Sequence, residues 1–313
     1  MKGIELSEKF YNQYGKAMLE NNFPELCEIV AIGLCGSGSQ CFGFDDELSE
    51  DHDFEPGFCI FIPDESIIDE KTAFALEKAY SSLPKEFMGY KRSTAGAVGG
   101  NRYGVIRQNR FLTEKTGTAD GELQAEQWFF VPEQSLLEAT NGKLFRDDLG
   151  SFTEIRQRLS FFPEDIRLKK LAGELVMAGQ AGQYNFSRCI KRGDTAAAQL
   201  SVYEFCKSCM HIIFLLNKKY MPYYKWSFKA MKELHVLAYL SDDLEMLISS
   251  SNTPEQAEKK ANIIENICEK ICNELCSQGL SDYKGAECEG HAYAVNNMIK
   301  DSNIRNLNIL YGV

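Results

Sequence analysis

The chain has 313 residues, 44% hydrophobic and 25% charged, with a formal net charge of −11. These proportions belong to a folded globular protein, and the length allows two domains. The negative charge counts against a broad nucleic-acid footprint, which needs a basic surface. The strongest apolar run, MHIIFLL (Met210 to Leu216), is too short to span a bilayer, which excludes a membrane span there.

In chain order, residues 7 to 20 carry Phe10, Tyr14, Ala17 and Met18 at helical spacing, and Pro24 marks a break. Strands are expected near 28 to 35, 53 to 62 and 103 to 108. Ser66 to Ser82 reads as a helix closed before Pro84. The glycines of 91 to 102 suggest a loop. Trp128 to Pro132 and Leu144 to Phe145 are expected as short strands. These elements make a first domain over 1–150.

From 151 the pattern turns helical. Helices are expected over Phe152 to Leu159, Pro163 to Gln180, Thr195 to Lys219, Ser227 to Leu240, Ser241 to Ser249, Thr253 to Ser277 and Ala286 to Lys300. Thr253-Pro254-Glu255-Gln256 is a helix start, with a Thr cap and Pro in the first turn. The expected fold class is α/β (α+β): a small mixed-sheet domain, then an all-helical bundle over 151–313.

The most informative stretch is GSGSQCFGFDDELSEDHD, Gly36 to Asp53. A glycine-serine turn follows the apolar run EIVAIGLC. Backbone N–H groups of Gly36, Ser37, Gly38 and Ser39 can cradle a triphosphate. Asp51 and Asp53, two apart on an extended segment, point to one face and can hold Mg²⁺, a hard cation that shares its shell with phosphate oxygens. His52 would point to the opposite face, as a structural residue. Asp45, Asp46, Glu47, Glu50 and Glu55 add carboxylates with no Lys or Arg among them, and such crowding calls for a cation. A solvated acidic loop is the alternative. An EF-hand does not fit, because Gly57 falls one place late and Ile62 stands where the bidentate Glu belongs.

Gly38, Ser39, Asp51 and Asp53 resemble the signature of the polymerase-beta-like nucleotidyltransferase superfamily. GFDDELSEDHDFEPGF, WFFVPEQSLLEATNGKLFRDDLG, FFPEDIRLKKLAG, AGQYNFSRCIKRGD and LLNKKYMPYYKW extend the resemblance to a bacterial family of unknown function within it. The resemblance implies a catalytic domain followed by a helical bundle, as in aminoglycoside and lincosamide nucleotidyltransferases. It also implies ATP or another nucleoside triphosphate as substrate, Mg²⁺ as cofactor, and a small-molecule or protein hydroxyl as acceptor. Superfamily enzymes carry a third carboxylate on a later strand. Here that strand, YGVIRQ (Tyr103 to Gln108), has no acid, and Glu114, Asp120, Glu122 and Glu126 are the nearest substitutes in sequence. A catalytically weak nucleotide-binding sensor or interaction protein is therefore the competing expectation, with a nucleic-acid-modifying transferase third.

Two basic-aromatic clusters stand out in the second half. One holds Gln183, Tyr184, Asn185, Arg188, Lys191 and Arg192; the other holds Tyr220, Pro222, Tyr223, Tyr224, Lys225 and Trp226. Arg188 and Lys225 are the candidate phosphate contacts, with helix-junction packing as the alternative. Eleven cysteines, odd in number, irregular in spacing and without a signal-peptide pattern, suggest reduced thiols and a cytoplasmic protein. Cys268, Cys272 and Cys276 line one helical face and, like Cys206 and Cys209, read as small buried hydrophobes.

Overall fold

In the computed structural model of the protein, residues 1–51, 54–92 and 102–313 are described, without the side chains of Glu50 and Asp51. The chain divides into two compact units: Met1–Leu123 with Val131–Ser160, and Gln124–Phe130 with Phe161–Val313.

The first unit is built on a small mixed sheet. Helices α1 (Gly3–Phe10) and α2 (Lys16–Asn22) run together through a π-helical turn at Tyr11–Gly15. A Cβ on Gly15 would meet Phe58 at 2.4 Å, so the absent side chain lets the helix approach that ring. Strand β1 (Ala31–Leu34) pairs antiparallel with β2 (Cys59–Ile62). Between them lie α3 (Ser39–Phe42) and a 3₁₀ turn at Glu47–Asp51. Helix α4 (Glu70–Ser81) starts where Asp69 accepts the Thr72 N–H at 2.8 Å. Strands β3 (Glu86–Phe87) and β4 (Tyr90–Lys91) form a hairpin whose turn residues, Met88 and Gly89, have φ of 51° and 87°.

Strand β5 (Gly104–Arg107) pairs parallel with β2 and leads into α5 (Gln108–Thr116). Helix α6 (Ala125–Phe130) belongs to the second unit; α7 (Glu133–Thr140), β6 (Lys143–Asp147) and α8 (Ser151–Arg158) return to the first. The sheet order is β5-β2-β1-β6. Strands β1 and β2 are buried throughout, as strands covered on both faces must be. Ile32, Ile60 and Ile62 face the core of Leu6, Phe10, Leu76 and Phe87. On β2, Phe61 turns the other way, onto Phe111 of α5 and Phe152 of α8, with ring centroids 5.1 and 4.6 Å away.

The second unit is helical: α6, α9 (Glu164–Ala178), α10 (Ser187–Lys191), α11 (Thr195–Leu216), α12 (Tyr224–Met231), α13 (Leu240–Ser249), α14 (Pro254–Ser277), α15 (Cys288–Asn297) and α16 (Ser302–Arg305). A π-helical stretch, Gly179–Phe186, joins α9 to α10. Helix α9 is buried nearly all round, charged residues included. Its lysines are satisfied by oxygens: Lys169 Nζ donates to Leu307 O at 2.7 Å, Asn296 Oδ1 at 2.9 Å and Arg305 O at 3.1 Å, and Lys170 Nζ to Gly312 O at 2.8 Å. The C-terminal residues are thereby fixed against α9.

Three sequence expectations change. The helix expected over Ser227 to Leu240 ends at Met231, and Leu240 opens the next helix. Trp128 to Phe130 is helix rather than strand: Trp128 packs on Phe162 and Phe129 on Tyr311, and tertiary contact outweighs aromatic strand propensity. The strand expected from 53 begins at Cys59. No helix among the described residues is long and apolar enough to cross a membrane.

Candidate functional site

The glycine-serine turn leaves the end of β1 with backbone angles that demand glycine. Gly36 has φ 109°, and Gly38 has φ 111° and ψ 147°. Asn141, beyond α7, pins the turn by accepting from Gly36 N–H at 2.9 Å and donating to Gly36 O at 2.8 Å. Arg156 holds that support in place, donating to Ala139 O at 3.2 Å, Thr140 O at 2.9 Å and Asn141 O. The Gly36 N–H is therefore committed to the fold and does not join a phosphate cradle. Among the described residues no partner takes the N–H groups of Ser37, Gly38 or Ser39.

Positive charge gathers beside the turn. A Cβ on Gly38 would stand 3.4 Å from Arg102 Nη1. Lys115 of α5 brings its Nζ to 3.3 Å from Ser37 Oγ, and the Ser37 hydroxyl donates to Glu138 Oε2 of α7 at 2.7 Å. Lys115 and Glu138 pair at 2.8 Å, each side chain only 10% exposed. Burial alone would lower the Lys115 pKa; its hydrogen bonds to Glu138 and Glu114 outweigh burial and raise it. Burial would likewise raise the Glu138 carboxyl, yet its bonds to Lys115, Ser37 and Gln134 hold it below the ordinary value. Both groups are therefore charged at neutral pH. Cys35 and Cys41 flank the turn with thiols pushed up to about 11 and about 12 by burial, so neither is a nucleophilic thiolate there.

The acidic run is divided among several tasks. Asp45 is buried and caps α1, accepting the Gly3 N–H at 2.8 Å. Asp46 accepts from Ser49 N–H at 3.1 Å and so closes the turn that follows. The backbone of Asp51 ends the 3₁₀ turn, so the strand alternation expected to align it with Asp53 does not apply at Asp51. Its side chain lies outside the described residues, as do His52 and Asp53 entirely. Among the described residues no group of three or more His, Cys, Asp or Glu side chains is arranged to hold a metal.

Strand β5 offers Arg107 where an acid was sought. Arg107 donates to Ile68 O at 2.7 Å, Pro63 O at 2.9 Å and Glu70 Oε1 at 2.8 Å. Of the sequence-nearby acids, Glu114 pairs with Lys115 at 2.9 Å and Asp120 accepts the Glu122 N–H. Glu122 is exposed, and Glu126 lies on α6 of the second unit.

Arg188 and Lys225 belong to the second unit. The Arg188 guanidinium lies 4.1 Å from the Tyr184 ring centroid and donates to its hydroxyl. Lys225 Nζ lies 4.8 Å from the Trp226 ring, and Lys229 Nζ 5.6 Å. Gln183 is structural, donating to Glu265 and Ala286 O and accepting the Cys288 N–H. Tyr220 is buried between Phe161 and Phe162. All eleven cysteines are free; Cys268 and Cys272 are buried, while Cys276 is exposed, contrary to expectation.

Lys115, Glu138 and Asn141 escaped sequence reading. They lie 78, 101 and 105 residues from their partners in the turn, and no local motif marks them.

Residues 128–227 match the family described as a domain of unknown function (DUF4037). No curated protein and no solved structure matches the chain.

Proposed function

We propose that the first unit binds a nucleoside triphosphate with Mg²⁺ and transfers a nucleotidyl group, AMP in the first instance, to a hydroxyl of a small-molecule or protein acceptor in the cytoplasm. One observation carries this: three successive N–H groups, Ser37 to Ser39, without protein partners among the described residues, beside Lys115 and Arg102. Backbone donors with neighbouring cations suit the oxygens of a polyphosphate, and a Cβ at Gly38 would approach Arg102 Nη1 at 3.4 Å. Asp51 and Asp53 are assigned to Mg²⁺, for which hard carboxylate oxygens are the matching donors. When bound, the ion supplies charge neutralisation at the phosphates.

A sensor on the same frame is the second reading, favoured by the engagement of Arg107 at β5 and the absence of an acid on that strand. Calorimetric titration with ATP, with and without Mg²⁺, tests the binding. Affinity should require Mg²⁺ and vanish in Asp51→Asn, Asp53→Asn; equal affinity in both conditions refutes a metal-bridged site. Pyrophosphate release with hydroxyl acceptors then separates the transferase from the sensor, which binds without turnover.

A further inference from the structure

Lys115 is held between two carboxylates and a serine hydroxyl. Its ammonium meets Glu138 Oε2 at 2.8 Å, Glu114 Oε1 at 2.9 Å and Ser37 Oγ at 3.3 Å. Glu138 also accepts the Ser37 hydroxyl through the same oxygen at 2.7 Å, and the Gln134 amide through its other oxygen at 3.1 Å. Lys115 thus stands against two carboxylates, the buried Glu138 and the exposed Glu114, directly beside the three N–H groups of the turn. The Glu138 carboxylate repels an oxyanion that approaches these N–H groups. Yet the donors Glu138 occupies, an ammonium and a serine hydroxyl, are those a phosphate oxygen would take. The lysine has the means to change partner, because its charge rides on a flexible stem with three rotatable donors. Glu138 keeps the Gln134 amide if Lys115 leaves, so it need not be stranded.

We propose that Glu138 is a built-in competitor for the phosphate-bearing ligand of this turn. It holds Lys115 and the Ser37 hydroxyl until a polyphosphate arrives, and Lys115 then turns its ammonium to the phosphate oxygens. This rests on the oxyanion reading of Ser37 to Ser39 but does not require nucleotidyl transfer.

The test is calorimetric titration of the full chain with sodium pyrophosphate and, separately, with a non-hydrolysable ATP analogue plus Mg²⁺. The proteins are wild type, Glu138→Gln, Lys115→Met and the double variant, with thermal melts to establish folding. Glu138→Gln keeps the shape of the side chain and removes its charge, so it should bind pyrophosphate about tenfold more tightly. Lys115→Met should lose about tenfold, and the double variant should match Lys115→Met, because the gain acts through the lysine. If Glu138→Gln does not fold, Glu138→Asp, which shortens the reach to Lys115, should give a smaller gain in the same direction.

Unchanged pyrophosphate affinity in Glu138→Gln, or a gain that persists in the double variant, overturns the competitor. If the ATP analogue binds with Mg²⁺ but equally in all four proteins, the competitor fails while the nucleotide reading stands. If pyrophosphate shows the expected ranking and the analogue does not bind, the competitor stands and the nucleotide reading fails. Folded proteins that bind neither probe overturn both.

Discussion

Gly38 sits at φ 111° and ψ 147°, a region glycine enters freely and other residues enter only under strain. A methyl group there would also approach Arg102 Nη1 at 3.4 Å. Gly38→Ala should therefore destabilise the first unit by about 1–3 kcal/mol and reduce nucleotide affinity by disturbing the neighbouring N–H groups. Urea denaturation and ATP titration check the two effects; a variant with the wild-type midpoint would show that the turn relaxes without strain. Glycine and serine in sequence announce such a turn, since their chemistry is local. What holds it was not legible. Asn141 reaches Gly36, and Glu138 reaches Ser37, from more than a hundred residues away. A lone asparagine and a lone glutamate carry no periodicity that could flag them.

Among the elements, helix α11 shows how local and tertiary signals combine. Asp194 accepts the Ala197 N–H at 2.9 Å, and Gly193 before it has φ 73°, ending the preceding turn. Asp194→Ala should cost about 1 kcal/mol of stability in the second unit, as capping residues generally do, with Asp194→Asn recovering most of it. Loss of less than a few tenths by chemical denaturation would mean that packing alone fixes the start of this helix. The helices near 66–82, 163–180, 195–219 and 253–277 were readable from their apolar content and boundary residues; Asp69 and Asp194 cap two of them, whereas Thr253 makes no side-chain capping bond, contrary to expectation. Trp-Phe-Phe at 128–130 misled because aromatics favour strands, whereas here Phe162 and Tyr311 supply partners to a helical face. The acidic run misled in a second way. Asp46 and Ser49 bond to each other and open a 3₁₀ turn that runs to Asp51, where an extended segment was expected.

Across the whole molecule, buried thiols contribute to the response to alkaline pH, in the same sense as the buried phenols of Tyr80 and Tyr103, which burial also raises. Burial pushes Cys35 up to about 11 and Cys41 up to about 12, and holds Cys59 well above the ordinary value, all in the first unit. In the second unit burial pushes Cys206 up to about 12 and raises Cys209 strongly. The unfolded chain releases these protons from about pH 9, while the folded chain keeps them. Their stabilising contribution is therefore complete below pH 9 and is lost as pH rises toward 12. Lys169 and Lys260 act in the opposite sense. Burial lowers both, so the folded chain sheds those protons first and their contribution grows as pH approaches 10.5. The thiols outnumber the lysines and occur in both units. The urea midpoint should hold steady from pH 7 to 8.5 and fall between 9 and 11. Each thiol adds a slope of about 1.4 kcal/mol per pH unit once the unfolded chain is ionised. Cys41→Ala should flatten the fall in the first unit by about one such increment, and Cys206→Ala should do so in the second. A midpoint that stays level or rises to pH 11, in a reducing buffer, would mean that the lysines govern the alkaline limb, or that these thiols stay protonated in the unfolded chain as well.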